Sequence, residues 1–256
     1  MIDITKSKQY TLSIRLSTDG FSFFIYNPIE ENPYTIINKQ PDPSTSMTAN
    51  LRKIFQECDF LNCPYKRVNA LTVTRRYTIV PAELFDEKQA EILFHYNHPK
   101  LENEKLLYNI LPANNIAILF GINNSVHSFL NEQYRDIRLY PQITPYIEYF
   151  STRSRLGNSR KMYVAFRHGT IDIFCFEHGQ LLLANSFEYN QTEDCIYYLL
   201  YAWKQLELDQ ERDELHLTGV SDEKDAILEK LRAFIRHIFI MNPTSNIDIE
   251  ALLTCE

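Results

Sequence analysis

One series of elements runs twice through this chain: three strands, a helix, a strand and a helix. The first copy opens at residues 10–17, where Leu12, Ile14 and Leu16 alternate with polar residues at the period of a half-buried strand. Thr18-Asp19-Gly20 follows, and Asp-Gly is a strong hairpin signal. Residues 21–26 read as the return strand, 28–33 as a loop and 34–37 as a third strand. The Pro- and Ser-rich stretch 41–46 offers caps for a helix over 47–58, with Leu51, Ile54 and Phe55 at helical spacing. A strand over 68–73 comes next, with 77–80 as an extension of the sheet and a helix over 83–95.

The second copy starts about 150 residues later, on the order of one domain length. Residues 162–167 are a strand, His168-Gly169 a turn, 170–176 the return strand, Glu177-His178-Gly179 a second turn, and 180–187 a third strand. A helix over 192–206 takes Thr192 as its cap and sets Ile196, Leu199, Leu200 and Trp203 on one face. A strand over 214–219 ends in a turn. A helix over 221–238 takes Ser221 as cap, places Asp222 and Glu223 at its positive end, and carries Ala226, Ile227, Leu231, Phe234 and Ile235 as its stripe. Between the copies lie strands at 106–111 and 116–120 and helices at 122–134 and 141–150. The polar, strand-free stretch 151–160 divides the chain into domains 1–155 and 156–256. The resulting class is α/β: two similar lobes of mixed sheet flanked by helices, with a cleft between them as the expected ligand site.

Composition bears on function at two points. Only six glycines occur in 256 residues, against a usual ~7%, and phosphate-cradling loops are built from glycine. The net charge of −7 disfavours a nucleic-acid binder, which is usually basic over its domain. No run of about 18 apolar residues is present to cross a membrane. Residues 1–6 lack the basic, apolar, small-residue order of a secretory leader. Cys58, Cys63, Cys175, Cys195 and Cys255 form no pair of ligand pairs for zinc and read as small thiols in a reducing compartment. The expectation is a cytoplasmic protein without metal.

The doubled plan, with a hairpin leading each half, resembles the actin, sugar-kinase and heat-shock ATPase superfamily, whose lobes are ribonuclease-H-like. His168-Gly-Thr-Ile-Asp-Ile-Phe-Cys-Phe-Glu-His-Gly-Gln-Leu181 resembles its second phosphate loop, and Leu215-His-Leu-Thr-Gly-Val-Ser221 its adenosine motif. Residues 10–24 stand where its first phosphate loop would. Over most of its length the chain is similar to domain-of-unknown-function family 3822, a bacterial family described as actin-like. The resemblance implies that a nucleotide or phosphate would meet Arg15, Thr18, Arg167, His168, Gly169, Thr170, Asp172 and Gly219, with ATP and magnesium as the conceivable cofactors.

The departures from that pattern point away from catalysis. Arg15 stands where the metal-organising Asp belongs, and Ser13 and Ser17 replace glycines. Ala165 takes the acidic position of the second loop, and Arg167 and His168 take glycine positions. Thr218-Gly219 replaces a glycine pair. Side chains at such positions obstruct the approach of backbone N–H groups to phosphate, and magnesium wants carboxylate oxygens. Asp172 is expected to accept hydrogen bonds from backbone or a nearby arginine.

Other groupings carry less. Glu91, His95 and His98 share a helical face suited to a metal, although Asn97-His98-Pro99 falls near the helix end. Ser125-Val-His127 lacks a nucleophile elbow. Arg153, Arg155, Arg160 and Lys161 form a basic linker cluster that could touch RNA or phosphate or simply be solvated. Residues 209–214 read as an exposed charged connection. The aromatics read first as core and second as a partner surface. The expected function is a non-catalytic binding or scaffold protein using a protein partner or a second copy of itself. An ATPase or small-molecule kinase with unorthodox loops and an RNA-linked accessory protein are the alternatives.

Overall fold

The computed structural model describes residues 4–29, 33–219, 224–241 and 246–253. The chain falls into two compact units: one reaches Thr144 and takes in the chain end from Leu252, the other is Pro145–Ala251.

In the first unit, β1 (Thr11–Ser17), β2 (Gly20–Tyr26) and β3 (Tyr34–Lys39) form an antiparallel meander. Then come α1 (Met47–Glu57) and β4 (Arg67–Thr72). β5 (Tyr77–Pro81), α2 (Ala90–Asn97), β6 (Glu104–Leu111) and β7 (Ile116–Asn123) follow. α3 (Asn124–Gln133) and β8 (Arg138–Pro141) complete the first sheet, whose order is β3-β2-β1-β4-β8. α4 (Ile143–Ser154) leads into the second unit.

There β9 (Lys161–Arg167), β10 (Thr170–Glu177), β11 (Gln180–Glu188), α5 (Thr192–Gln205), β12 (Glu214–Gly219), α6 (Lys224–Leu231) and β13 (His237–Ile240) repeat the scheme, before a short α7 (Ile247–Ala251). The order β11-β10-β9-β12-β13 is that of the first sheet, element for element. In both sheets the hairpin partner is antiparallel and the next two strands are parallel.

Alternation builds both cores. Leu12 and Ile14 of β1, Phe21 and Phe23 of β2 and Ala70 of β4 face Leu51, Ile54 and Phe55 of α1 and Val126, Phe129 and Leu130 of α3. Phe55 meets Phe129 edge to face at 5.0 Å. In the second unit Met162, Val164, Ile171, Ile173, Leu215 and Leu217 face Leu199 and Trp203 of α5 and Ile227 and Leu231 of α6. The opposite face of that sheet carries a continuous ring stack. Tyr146 and Phe150 of α4 stack nearly parallel, Phe150 lies 4.3 Å from Tyr163, and Tyr163, His216 and Phe239 continue it as register neighbours on β9, β12 and β13.

Caps explain several boundaries. Ser46 accepts from the Ala49 N–H at the start of α1, and Asn123 accepts from Ser125 and Val126 at the start of α3. The helix expected over 122–134 therefore begins at Asn124, because Ile122 and Asn123 still pair in β7. At α5 the cap is Gln191, not Thr192, with Asp194 accepting from the Gln191 N–H at 3.2 Å.

The remaining differences have physical causes. Residues 77–80 do not extend the first sheet: β5 pairs with β7 in a separate three-stranded sheet of order β5-β7-β6. The helix expected over 83–95 is two single-turn 3-10 segments, Ala82–Leu84 and Glu87–Gln89, followed by α2, since Asp86 caps a new turn by accepting from the Lys88 N–H. The second helix of the first repeat is therefore α3, and the β5–β7 sheet with α2 is inserted before it. The helix over 221–238 ends at Leu231, and its expected tail 237–238 falls in β13, where Leu215 pairs with Ile238. Ser221, Asp222 and Glu223 lie outside the described residues. The stretch 151–154 is the last turn of α4 rather than linker, because Ser151 Oγ donates to the Gly179 carbonyl and Ser154 Oγ to the Ser151 carbonyl, both buried. Among the described residues no helix is long and apolar enough to cross a membrane.

Candidate functional site

The residues singled out from the sequence lie in the hairpin turns and on the strands beside them in each unit. In the second unit, registers align Thr218 of β12, Ala165 of β9, Asp172 of β10 and Ser186 of β11 in one row. Arg167 lies two residues beyond Ala165 on the same face, at the last position of β9. His168 is exposed at the turn, and Gly169 turns the chain with φ +63°. Thr170 pairs with Arg167 across the hairpin.

Asp172 is fully buried and closed by its neighbours. Arg167 donates Nε to Oδ2 at 3.0 Å and Nη2 to Oδ1 at 2.9 Å, and the Ser186 hydroxyl donates to Oδ1. Burial works against the Arg167 charge, but the Asp172 carboxylate outweighs it, so the guanidinium is held protonated more firmly than usual. A bidentate pair of this kind is strong and geometrically specific. With the Ser186 bond it takes three of the roughly four acceptor positions of the carboxylate, and it occupies the fork that would otherwise clasp a phosphate.

Gly219 ends β12 with φ +85°, and a Cβ there would collide with the Phe166 carbonyl oxygen. The strand end thus admits only glycine on account of its neighbour strand.

In the first unit Arg15 is half buried in mid-strand, between Ser22 of β2 and Leu71 of β4. Its register position matches that of Ala165, one position before a turn-proximal residue on the corresponding strand. Ser17 Oγ accepts from the Asp19 N–H at 3.3 Å, and Thr18 is exposed at the tip. Ser13 lies beside Asn69 of β4. Among the described residues, buried Ser13 Oγ, Asn69 Nδ2 and Thr218 Oγ1 have no hydrogen-bond partner.

This donor set does not suit magnesium with a nucleotide. An arginine and an alanine hold the two positions where carboxylates would organise the ion, and the buried carboxylate of Asp172 already accepts three hydrogen bonds from Arg167 and Ser186.

The other candidates sort differently. His95 Nδ1 is 3.2 Å from the His98 carbonyl oxygen and His98 Nε2 is 2.9 Å from that of Tyr77, so both rings face backbone. Among the described residues no group of three His, Cys, Asp or Glu is placed to hold a metal. Ser125 and His127 sit in the first turn of α3, where the Asn103 amide approaches the serine hydroxyl at 3.4 Å. The basic cluster is dispersed. Arg153 lies over the Tyr149 ring, Arg160 pairs with Glu177 and the Leu206 carbonyl, and buried Lys161 pairs with Glu214 at 3.2 Å. The charged connection 209–214 is not wholly exposed: Asp213 is buried and accepts from the backbone N–H groups of Arg160 and Asp209. Cys58, Cys175 and Cys195 are buried thiols and Cys63 is partly exposed.

Two residues escaped sequence reasoning, Ser186 and Asn69. Their alternation places them on the correct faces, but only the registers set Ser186 against Asp172 and Asn69 against Ser13.

Two five-stranded mixed sheets of identical order, each led by a hairpin and backed by helices, define an actin-like ATPase fold. The chain belongs to the family described as Protein of unknown function (DUF3822), which it matches over residues 1–238. It is similar, at 62% identity and a TM-score of 0.94 with 100% of both chains covered, to a crystal structure from Bacteroides thetaiotaomicron VPI-5482 of a protein with actin-like ATPase fold and unknown function. A PilM–PilN type IV pilus biogenesis complex shares the fold at 11% identity and a TM-score of 0.54, covering 94% of this chain and 89% of the other. None of the curated proteins matches.

Proposed function

We propose that this chain is a non-catalytic actin-like protein that serves as a binding or scaffold module in the cytoplasm, engaging a protein partner or a second copy of itself. The observation that carries the reading is the closure of Asp172 by Arg167 and Ser186, with Arg15 and Ala165 at the two acidic positions. Phosphoryl transfer depends on positioning and on charge stabilisation by metal and loop. Removing one such stabilising element commonly costs a factor of about 100 or more. Buried Ser13 Oγ, Asn69 Nδ2 and Thr218 Oγ1, left without partners among the described residues, support binding over mere packing, because unpaired buried polar atoms cost stability and call for an explanation. The four described cysteines as thiols support a reducing compartment. The net charge of −7 speaks against nucleic acid as the partner. A protein complex is among the structures of this fold, although at 11% identity that likeness concerns the fold alone.

The test is phosphate release with magnesium or manganese and ATP, beside a thermal-shift titration with the same nucleotide. The expected result is no release. Turnover above ~0.1 per second, inside the ordinary enzyme range and abolished by Arg15→Ala, overturns the reading. A thermal shift without release keeps it and makes the nucleotide a ligand.

A further inference from the structure

A second site lies at the opposite end of the first sheet. β4 runs parallel to β1 with Arg67 beside Thr11, at the start of β1, whereas the Thr18 turn follows its end. Six residues of strand separate the two, about 20 Å at 3.3 Å per residue. Around Arg67 the surface forms a depression of about 470 Å³, lined by Cys63, Tyr65, Lys66, Arg67, Tyr134, Arg135 and Asp136 among others. That volume lies within the range of small-molecule sites, about 300–1,000 Å³.

The lining of this depression concentrates positive charge in an acidic chain. The chain has 33 acidic against 26 basic residues. Some cations elsewhere are neutralised by carboxylates: Arg76 by Glu104, Arg160 by Glu177, Lys161 by Glu214, Arg167 by Asp172, Lys230 by Glu193 and Arg236 by Glu211. Among the described residues Lys66, Arg67 and Arg135 have no such pairing, and the depression sets them against one carboxylate, Asp136. The wall is also held in place. The Tyr65 hydroxyl donates to the Phe60 carbonyl at 2.9 Å, and the buried Tyr134 hydroxyl donates to the Leu61 carbonyl at 2.6 Å. These bonds fix the segment carrying the cations before any ligand arrives, which lowers the ordering cost of binding.

We propose that this depression binds the phosphoryl group of a small phosphorylated molecule. Two guanidinium forks and an ammonium offer more donors than the two oxygens of a lone carboxylate can accept, whereas a phosphate monoester presents three strong acceptor oxygens and nearly two negative charges. The site is independent of the strand positions that carry Arg15 and Asp172.

Cys63 gives the site a local reporter, since it lines the depression while Cys58, Cys175 and Cys195 are buried. The full chain is titrated with inorganic pyrophosphate by calorimetry at ionic strength matched with sodium chloride. The rate of Cys63 alkylation by N-ethylmaleimide is followed in parallel by peptide mass spectrometry. Saturating pyrophosphate is expected to slow Cys63 alkylation at least fivefold. The double variant Lys66→Gln/Arg135→Gln, changed at two exposed positions and checked for an unaltered melting temperature, is expected to bind at least tenfold more weakly. Absence of binding, unchanged binding by the double variant, or binding that leaves Cys63 as reactive as before each overturns the proposal.

Discussion

Arg167 and Asp172 face each other across the β9–β10 hairpin in a two-point ion pair, Nε to Oδ2 at 3.0 Å and Nη2 to Oδ1 at 2.9 Å, with the carboxylate fully buried. In a loop built for nucleotide this carboxylate would be open toward metal. Here it is spent on its own strand neighbour, and the pair becomes part of what holds the hairpin.

Asp172→Asn is expected to destabilise the protein by about 3 kcal/mol, because it removes the two-point partner of the largely buried Arg167 charge and leaves it the weaker influence of Asp248. The double replacement Arg167→Met/Asp172→Leu is expected to be less destabilised than Asp172→Asn, since neither charge then remains buried. Urea unfolding midpoints measure both. A single variant as stable as the parent would show that the pair contributes nothing to the fold.

Two glycines, Gly219 at the end of β12 and Gly169 in the β9–β10 turn, are expected to respond unequally. Gly219→Ala should cost well over ~2 kcal/mol, as the added Cβ meets the Phe166 backbone and the residue has φ +85°. At Gly169 the nearest atom to a new Cβ is the Tyr189 oxygen at 3.8 Å. Gly169→Ala therefore carries only the left-handed backbone term, about 1–2 kcal/mol. Thermal denaturation of the two variants side by side gives the ranking.

Thr218→Val keeps the shape of the side chain and removes a buried hydroxyl that has no partner among the described residues. It is expected to raise stability by about 1 kcal/mol. A loss of stability would mean that the hydroxyl is satisfied in solution.

His216 predicts a pH dependence. Its ring is stacked between Tyr163 and Phe239, with Nε2 2.9 Å from Glu214 Oε2. Burial lowers its pKa, Glu214 partly opposes this, and Lys161 and Arg153 add to the lowering. The unfolded ring, with its ordinary value of 6.5, therefore takes a proton before the folded one. Stability should fall as pH drops below 6.5 and level off once the folded ring is also protonated. His216→Phe, which suits the stack, should reduce that slope between pH 7.5 and 5.5. His127, lowered by burial and by Lys105, leaves a residual slope in both proteins. Glu214, held below its usual value of 4.5, acts only at lower pH. Equal slopes in parent and variant would contradict the assignment.

Local chemistry made much of this fold legible. Alternation at Leu12, Ile14 and Leu16 and at Ile171 and Ile173 marked the strands that carry the cores, and Asp19-Gly20 and His168-Gly169 marked the hairpins that lead each sheet. These signals survive because side-chain period and turn conformation are settled within a few residues. The substitutions Arg15 and Ala165 were likewise visible as departures from a phosphate-loop pattern. What sequence period could not decide was pairing between distant strands. β8 and β13 are four-residue edge strands. So short a segment forms only when a longer neighbour supplies its hydrogen bonds, as β4 and β12 do. The same holds for β5, whose apolar alternation fits either sheet and which joins β7. The closure of Asp172 is of this kind too. Arg167 was in reach by sequence, but Ser186 comes to the carboxylate only through the β10–β11 register. The basic depression unites residues 63–67 with 134–136 because α3 ends against the segment entering β4, where the Tyr134 hydroxyl bonds the Leu61 carbonyl. Sequence settles which face each residue presents, and tertiary structure settles what it meets there, because hydrogen-bond register and packing join segments that no local period connects.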